Sequence, residues 1–296
     1  MSEPVPARAV VRVTHASEPP RPRAYCARAI LIANLGVYAW CAWLAGQIVL
    51  IAVPAPVLIA LGANVAPFTQ YAPEPTALVT ATFLHGGLMH LAFNMVALFQ
   101  IGPLVEEALG RARFCVLYVS AGIAASVVSM LASNYGLLEA GVAVGASGAI
   151  CGLIGAAAVL GYRLQGAKSP LARAMLRWLL ITVAFGYVVT LTGRASIDNY
   201  AHVGGALFGG LLAFTFRRGV TYTPLGRALR IGASAAVVVG AFVWQVLFAA
   251  PARDRAKMDY LLGRCEALRE DLRELGVTPR AGQAIHQRCT ETLREH

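Results

Sequence analysis

The stretch HGGLMHLAFN, residues 85–94, places two histidines and an asparagine inside a segment that otherwise suits the interior of a lipid bilayer. Residues 84–104 contain no Asp, Glu, Lys or Arg. At a rise of about 1.5 Å per residue, such a segment crosses a hydrocarbon core of roughly 30 Å. Burying a polar side chain there costs several kcal/mol unless it is paired. The stretch therefore predicts a membrane-spanning helix with polar groups that need partners.

The rest of the chain has the same character. Of its 296 residues, 57% are hydrophobic and 14% are charged, whereas a soluble domain is about half apolar and a quarter charged. This composition excludes a soluble globular protein and predicts an all-α, polytopic transmembrane helical bundle with seven spans. The predicted spans cover residues 29–53, 84–104, 114–132, 142–162, 175–191, 200–216 and 231–250.

Basic residues are concentrated on one side of the predicted membrane. Fifteen Lys and Arg lie in the N-terminal tail and in the loops after the second, fourth and sixth spans, while the opposite short loops hold only Arg194. By the positive-inside rule, the N-terminus is cytoplasmic, and an odd number of spans puts the C-terminus outside. We expect an integral protein of the bacterial cytoplasmic (inner) membrane. Its net charge of +10 then needs no nucleic-acid partner.

The spans divide the chain into four predicted parts. In order, these are a disordered cytoplasmic tail (1–28), a six-helix core (29–217), a cytoplasmic loop with the seventh span (218–250) and an extracytoplasmic amphipathic helical hairpin (251–296). The first outer connection, residues 54–83, is apolar enough to lie in or on the outer leaflet.

The hairpin is predicted from apolar residues at helical spacing after residue 252. One amphipathic helix, a turn over residues 276–279 and a second short helix account for the pattern. Cys265 and Cys289 fall on the two helices, in a compartment that should be oxidising. A separation of 24 residues suits antiparallel helices, so we predict a disulfide between them.

Three predicted spans carry polar groups near their outer ends. His90 and Asn94 are four residues apart on one face of the second span, Ser147 lies in the fourth and His202 in the sixth. A neutral imidazole can take the proton of a serine hydroxyl near pH 7 and so activate it as a nucleophile. The spacing predicts a Ser-His pair if the fourth and sixth spans pack closely.

Small residues favour that packing. Gly148 and Gly152 on one span, and Gly205 and Gly209 on the other, recur at four-residue spacing, which lets helix backbones approach closely. Gly141, Gly145 and Gly148, interleaved with Val142 and Val144, are poor helix formers, so regular helix is expected to begin only at Ser147. A helix N-terminus there would favour developing negative charge.

Each group alone has a simpler interpretation. A serine in a helix usually bonds to the preceding turn, a histidine near a helix end such as His85 is commonly structural, and His90 with Asn94 could join two helices. The chain has only six histidines. Three of them at the same depth as Asn94 and Ser147 favour a functional site.

These residues resemble the rhomboid family of intramembrane serine proteases, from about residue 80 to residue 217. The motifs are His85-x4-His90-x3-Asn94, the stretch IGPLVEEALGRARF at 101–114, Gly145-Ala146-Ser147-Gly148 and Ala201-His202-x-Gly204-Gly205. The resemblance implies a catalytic core in which Ser147 is the nucleophile and His202 the general base, without a carboxylate. It implies an oxyanion site made by the Ser147 backbone N–H and the side chains of His90 and Asn94.

The resemblance also implies structural or supporting roles for His85, Gly145, Gly148, Cys151, Gly205 and Glu106. Two positions depart from the family pattern. Thr76 and Ala77 occupy a position in the first outer connection where the family often has a Trp-Arg pair. Cys151 stands where many members have a tyrosine that stacks under the histidine.

The activity implied by the resemblance is an intramembrane serine endopeptidase. It would cleave transmembrane helices of single-span or polytopic membrane-protein substrates near the outer face of the lipid bilayer, without a cofactor or metal. The zinc-protease pattern HExxH is absent from the sequence. The alternatives are a non-catalytic relative that binds membrane proteins or serves their quality control, and a transporter whose polar cluster binds an ion. Non-catalytic relatives typically lack the serine or the histidine, and this chain has both.

Overall fold

The computed structural model describes residues 24–46, 52–71, 74–138, 141–193, 196–216, 222–248 and 251–295, and the structural statements below concern these residues. They form α-helices with short connections and contain no strand. The helices are α1 (Tyr25–Leu44), α2 (Ala55–Ala60), α3 (Ala66–Tyr71), α4 (Ala77–Thr80), α5 (Leu88–Leu109), α6 (Arg111–Asn134), α7 (Ser147–Gln165), α8 (Pro170–Leu191), α9 (Asn199–Thr215), α10 (Pro224–Leu247), α11 (Pro251–Leu261), α12 (Cys265–Glu274) and α13 (Pro279–Glu295). All but residues 24–28 of the predicted disordered tail lie outside the described ranges.

Six of these helices, α1, α5, α6, α7, α8 and α10, are long and apolar enough to cross a membrane by length and composition. The prediction of an all-α transmembrane bundle is therefore confirmed. The remaining predicted span corresponds to α9, which has 17 residues and packs against α6 and α7. The count of seven spans stays a prediction that rests on this shorter helix.

Helix α7 lies at the centre of the bundle. Of an 18-residue apolar stretch that begins within α7, 67% of the residues are buried inside the protein. The corresponding share is 11% for α8 and for α10. Gly148 and Gly152 of α7 face Gly205 and Gly209 of α9. A Cβ atom at Gly205 would overlap the carbonyl of Gly148, and one at Gly209 would overlap the carbonyl of Gly152. The two backbones touch, as expected for small residues at four-residue spacing.

Two helices start at positions other than those predicted. Helix α5 begins at Leu88, so His85 precedes the helix and does not lie in the span; Gly86 and Gly87, which favour helix poorly, separate the two. Helix α1 begins at Tyr25, inside the predicted tail. Its first turn is held by Glu106, whose carboxylate accepts the N–H of Cys26 at 3.2 Å and of Ala27 at 2.7 Å. This long-range cap leaves no trace in the local sequence.

The outer connection, residues 54–83, is folded against protein. It contains α2, α3 and α4, and Ile59 and Phe68 are fully buried against the C-terminal helices. Because α11 contacts α2 and α13 contacts α3, the connection and the C-terminal helices lie on the same side of the bundle.

The C-terminal segment has three helices, which corrects the predicted hairpin. The first predicted helix is broken after Leu261 by Gly263, whose φ of +67° ends α11. The second turn, at Gly276 with φ +63°, lies where it was predicted, but α13 has 17 residues and is not short. Cys265 and Cys289 form a disulfide with a Cα–Cα distance of 5.8 Å, which joins α12 to α13.

Candidate active site

Ser147 and His202 lie next to each other. Ser147 is the first residue of α7, and His202 lies in the first turn of α9. The distance between Ser147 Oγ and His202 Nε2 is 2.9 Å, a hydrogen-bond distance. The glycine contacts between α7 and α9 produce this proximity, because any side chain at Gly205 would push the helices apart. The arrangement is that of a hydroxyl with a base in place.

The second ring nitrogen of His202, Nδ1, is buried and has no hydrogen-bond acceptor among the described residues. The nearest acid along the chain, Asp198, caps α9 instead, its Oδ1 accepting the N–H of Ala201 at 2.8 Å. Within the described part of the chain, helix packing and not a carboxylate therefore orients this imidazole.

Ser147 also lies at a helix N-terminus. The hydrogen-bond ladder of α7 starts with the N–H of Ile150, which donates to Ala146 O at 2.9 Å. The N–H groups of Ser147, Gly148 and Ala149 precede that ladder and belong to the positive end of the helix. Negative charge that develops beside Ser147 would be stabilised by this end of α7.

The ring of His90 packs on the backbone just before Ser147. A Cβ atom built on Gly145 would lie 2.8 Å from Cε1 and Nε2 of His90 and 3.8 Å from Ser147 Oγ. Gly145 has a φ of +133°, which side-chain-bearing residues rarely adopt, and its N–H donates to Ala81 O at 2.9 Å. Glycine is required here for both reasons, and it brings His90 into the neighbourhood of the hydroxyl.

Asn94 does not reach the same point in this structure. Its side-chain nitrogen donates to the backbone carbonyl of His90 at 3.0 Å, within α5. Of the two predicted oxyanion side chains, only His90 lies against the loop that carries Ser147.

His85 supports His90. Its side chain is fully buried, and its ring lies edge-on to that of His90 with centroids 5.2 Å apart. Its Nδ1 lies 3.3 Å from Phe83 O. This arrangement fits the structural role that the family resemblance implies for His85.

The remaining predicted residues have separate positions. Gly148 and Gly205 lie in the contact between α7 and α9, and Cys151, a free and buried thiol, lies one turn below Ser147. Glu106 is at the opposite end of α5, where it caps α1 and lies 3.8 Å from Arg111. Within the described ranges, no group of three or more His, Cys, Asp or Glu side chains could hold a metal ion.

The contacts that hold the loop before Ser147 were missed by sequence reasoning. Asn64 and Ala143 form an antiparallel bridge with N–H···O distances of 3.1 and 2.9 Å. Beside it lies a cavity of about 150 Å³, whose lining includes Asn64, Ser133 and Asp198. No periodicity or motif marks these residues in the sequence.

Comparison with known proteins identifies the family. A model of the Rhomboid domain matches residues 72–219, a range that contains Ser147, His202, His90 and Asn94. The chain is 37% identical to the Rhomboid protease GluP of Bacillus subtilis over 139 residues, which are 46% of this chain and 25% of that protein. It is 33% identical to RHOMBOID-like protein 5 of Arabidopsis thaliana over 144 residues, 48% of this chain and 44% of that protein. It is 30% identical to the Rhomboid protease AarA of Providencia stuartii over 148 residues, 45% of this chain and 53% of that protein.

The chain thus spans between a quarter and about half of the length of these curated relatives. The domain match covers half of the chain, and it contains the outer connection from residue 72, the catalytic candidates and α9. Together with the helical transmembrane architecture, the match shows that this chain belongs to the rhomboid family.

Proposed function

We propose that the protein is an intramembrane serine endopeptidase in which Ser147 is the nucleophile and His202 the general base. The observation that carries the proposal is the 2.9 Å distance between Ser147 Oγ and His202 Nε2. His202 accepts the hydroxyl proton as Oγ attacks the scissile carbonyl. It then returns the proton to the leaving amine.

The tetrahedral oxyanion would be held by two kinds of donor. The first is the positive N-terminus of α7, where the N–H of Ser147 precedes the helix ladder. The second is the ring of His90, which lies beside Gly145. The amide nitrogen of Asn94 donates one N–H to the carbonyl of His90 and has a second N–H, which we expect to donate to the oxyanion in the transition state.

Substrates are proposed to be single-span or polytopic membrane proteins. A peptide carbonyl inside a helix is hydrogen-bonded and hidden, so the substrate helix must unwind locally before Ser147 can attack it. Ser147 and His202 both lie in the first turn of their helices, which supports cleavage near one membrane face. The cavity of about 150 Å³ that borders residues 141–143 offers room for water beside the serine loop.

The face is proposed to be the external one. The asymmetry of basic residues supports a cytoplasmic N-terminus and an external C-terminus in a bacterial inner membrane, with α9 as the sixth of seven spans. An alkaline phosphatase fused after His296 should be active in the periplasm. Activity only of a cytoplasmic reporter at that position would refute this topology.

The catalytic assignment is tested with purified full-length protein. A fluorophosphonate should label Ser147, and a single-span substrate should be cut near its outer membrane boundary. Ser147→Ala should abolish both signals, and His202→Ala should remove nearly all turnover. The matched control is Ser120→Ala, because Ser120 is a membrane-embedded serine whose hydroxyl bonds to Val116 O of its own helix at 2.7 Å.

Two outcomes would contradict the proposal. Cleavage by Ser147→Ala at the wild-type rate, with contaminating proteases excluded, would remove the dyad. A wild-type protein that binds membrane helices but is neither labelled nor active would instead favour the non-catalytic binding or quality-control alternative. Chelators should leave the activity unchanged.

A further inference from the structure

One buried carboxylate joins three elements on the outer side of the bundle. Glu74, in the outer connection, forms an ion pair with Lys257 of α11, and the two side chains are 1% and 0% exposed. Gln245 of α10 donates to Glu74 Oε1 at 3.1 Å, and Arg253 Nε lies 3.6 Å from the same oxygen. Burying an ion pair is costly and seldom improves stability over an apolar contact. Its presence here points to a requirement for one defined geometry.

An apolar cluster forms a second attachment between the same parts. Ile59 and Phe68 of the outer connection pack against Leu268 and Ile285 of the C-terminal helices, with the rings of Phe68 and Tyr260 6.0 Å apart. The disulfide joins the two helices that supply Leu268 and Ile285. The C-terminal helices therefore contact the outer connection at two places, the buried ion pair and the apolar cluster.

The outer connection in turn holds the loop that carries Ser147. Asn64 bridges to Ala143, and Ala81 O accepts the N–H of Gly145 at 2.9 Å. Asn64 also donates to Ser126 O of α6 at 3.0 Å. The His90 ring packs directly against Gly145, so a shift of the outer connection would move both the serine loop and His90.

We propose that α11–α13 form a positioning unit for the catalytic serine, with Glu74 and Lys257 as positioning residues that act through residues 141–145. Thr76, at one of the two positions that depart from the family pattern, donates to Gln245 Oε1 at 3.3 Å and so belongs to the same network. The effect on rate rests on the proposed protease function, whereas the effect on loop order does not.

The test uses full-length Lys257→Met, which leaves the methylene stem but removes the charge. We expect backbone amide exchange in residues 141–146 to accelerate. Fluorophosphonate labelling of Ser147 and kcat for a single-span substrate should each fall about tenfold, with KM within about twofold of wild type. The neutral pair Glu74→Gln with Lys257→Met should recover at least half of the lost rate, because the fully buried charges are both removed and Arg253, whose side chain is 15% exposed, can still be hydrated. The matched control is Arg269→Gln, which breaks an exposed pair with Glu266 in the same unit and should change nothing.

A second perturbation covers the case in which Lys257→Met does not fold. Opening the disulfide with reductant, or by Cys265→Ser with Cys289→Ser, should change exchange and kcat in the same direction by about threefold. The proposal would be overturned if a folded Lys257→Met, or the protein with its disulfide opened, kept the amide exchange rate and the kcat of the wild type. The network would then contribute to stability alone. If wild-type protein is neither labelled nor active, the protease function fails, and exchange at residues 141–146 still decides whether the unit positions the loop.

Discussion

Replacing Gly145 with alanine tests the site through one methyl group. The residue has a φ of +133°, and a Cβ atom would lie 2.8 Å from Cε1 and Nε2 of His90. Backbone strain of this kind costs about 1–3 kcal/mol. Non-bonded carbon atoms prefer about 3.5–4.0 Å, so the ring must move by about 0.7 Å or more. Both effects act directly before Ser147.

The displacement is large enough to remove a hydrogen bond. A donor at about 2.9 Å from an oxyanion would end near 3.6 Å, beyond the range of a hydrogen bond. Losing one oxyanion donor typically costs about 2.7–4 kcal/mol, or 10²–10³ in kcat. We therefore expect Gly145→Ala to lower kcat about 100- to 1000-fold. KM should change little, because the lost bond forms mainly in the transition state.

The assay is cleavage of a single-span substrate by purified protein in lipid vesicles. The control is Gly166→Ala, because Gly166 has a φ of +64° and nothing within 4 Å of an added Cβ, at the opposite end of α7. It suffers backbone strain without the clash, so it should lose thermal stability and keep kcat. Combined with His90→Ala, Gly145→Ala should add little further loss, because both changes remove the same donor. A wild-type kcat for Gly145→Ala, an equal fall for Gly166→Ala, or full additivity would refute the reasoning.

Three further substitutions test the framework around the site. Glu106→Gln keeps one acceptor oxygen for the two N–H groups of α1, so the free energy of unfolding should fall by about 1.5–3 kcal/mol, with Ser147 labelling of the folded fraction unchanged. Asp198→Ala removes the N-cap of the helix that carries His202, at about 0.5–2 kcal/mol, and should lower both unfolding free energy and kcat. Asp198→Asn, which keeps an acceptor, should do neither. Burial raises the pKa of Asp254, although Lys257 and Arg253 partly oppose this, so the folded protein holds the proton to higher pH than the unfolded chain and stability falls as pH rises through that pKa. Asp254→Asn should therefore raise the melting temperature at pH 7.5, and the gain should shrink towards pH 4.5.

Local patterns in the sequence predicted much of the bundle. Apolar length gave the position of the long helices, and the glycines before Ser147 predicted that α7 begins at that residue. The four-residue spacing of Gly148, Gly152, Gly205 and Gly209 predicted that α7 and α9 touch. Each of these features depends on neighbours in one or two helices, and such features leave a periodic signal.

Long-range hydrogen bonds left no such signal. The carboxylate of Glu106 starts α1 from a position far along the chain, and Asn64 pairs with Ala143 through backbone atoms that any residue could supply. The side-chain amide of Asn94 can hydrogen-bond to another helix or to the backbone of its own helix, and helical spacing in the sequence does not distinguish these two cases. The sequence could therefore propose the members of the site but not how the serine loop is held.

The C-terminal helices show most clearly where periodicity fails. The apolar residues of α11 and α12 keep their helical phase across Gly263, so the pattern predicts one helix although the backbone turns there. No motif or periodicity marks Glu74 in the sequence, yet it is buried against Lys257, which follows the seventh predicted span. Burying a carboxylate is costly unless it is paired and hydrogen-bonded. The predicted boundary between the six-helix core and the C-terminal segment therefore follows the sequence and not the packing. In the structure, the outer connection and α11–α13 pack together on the same side of the bundle as Ser147.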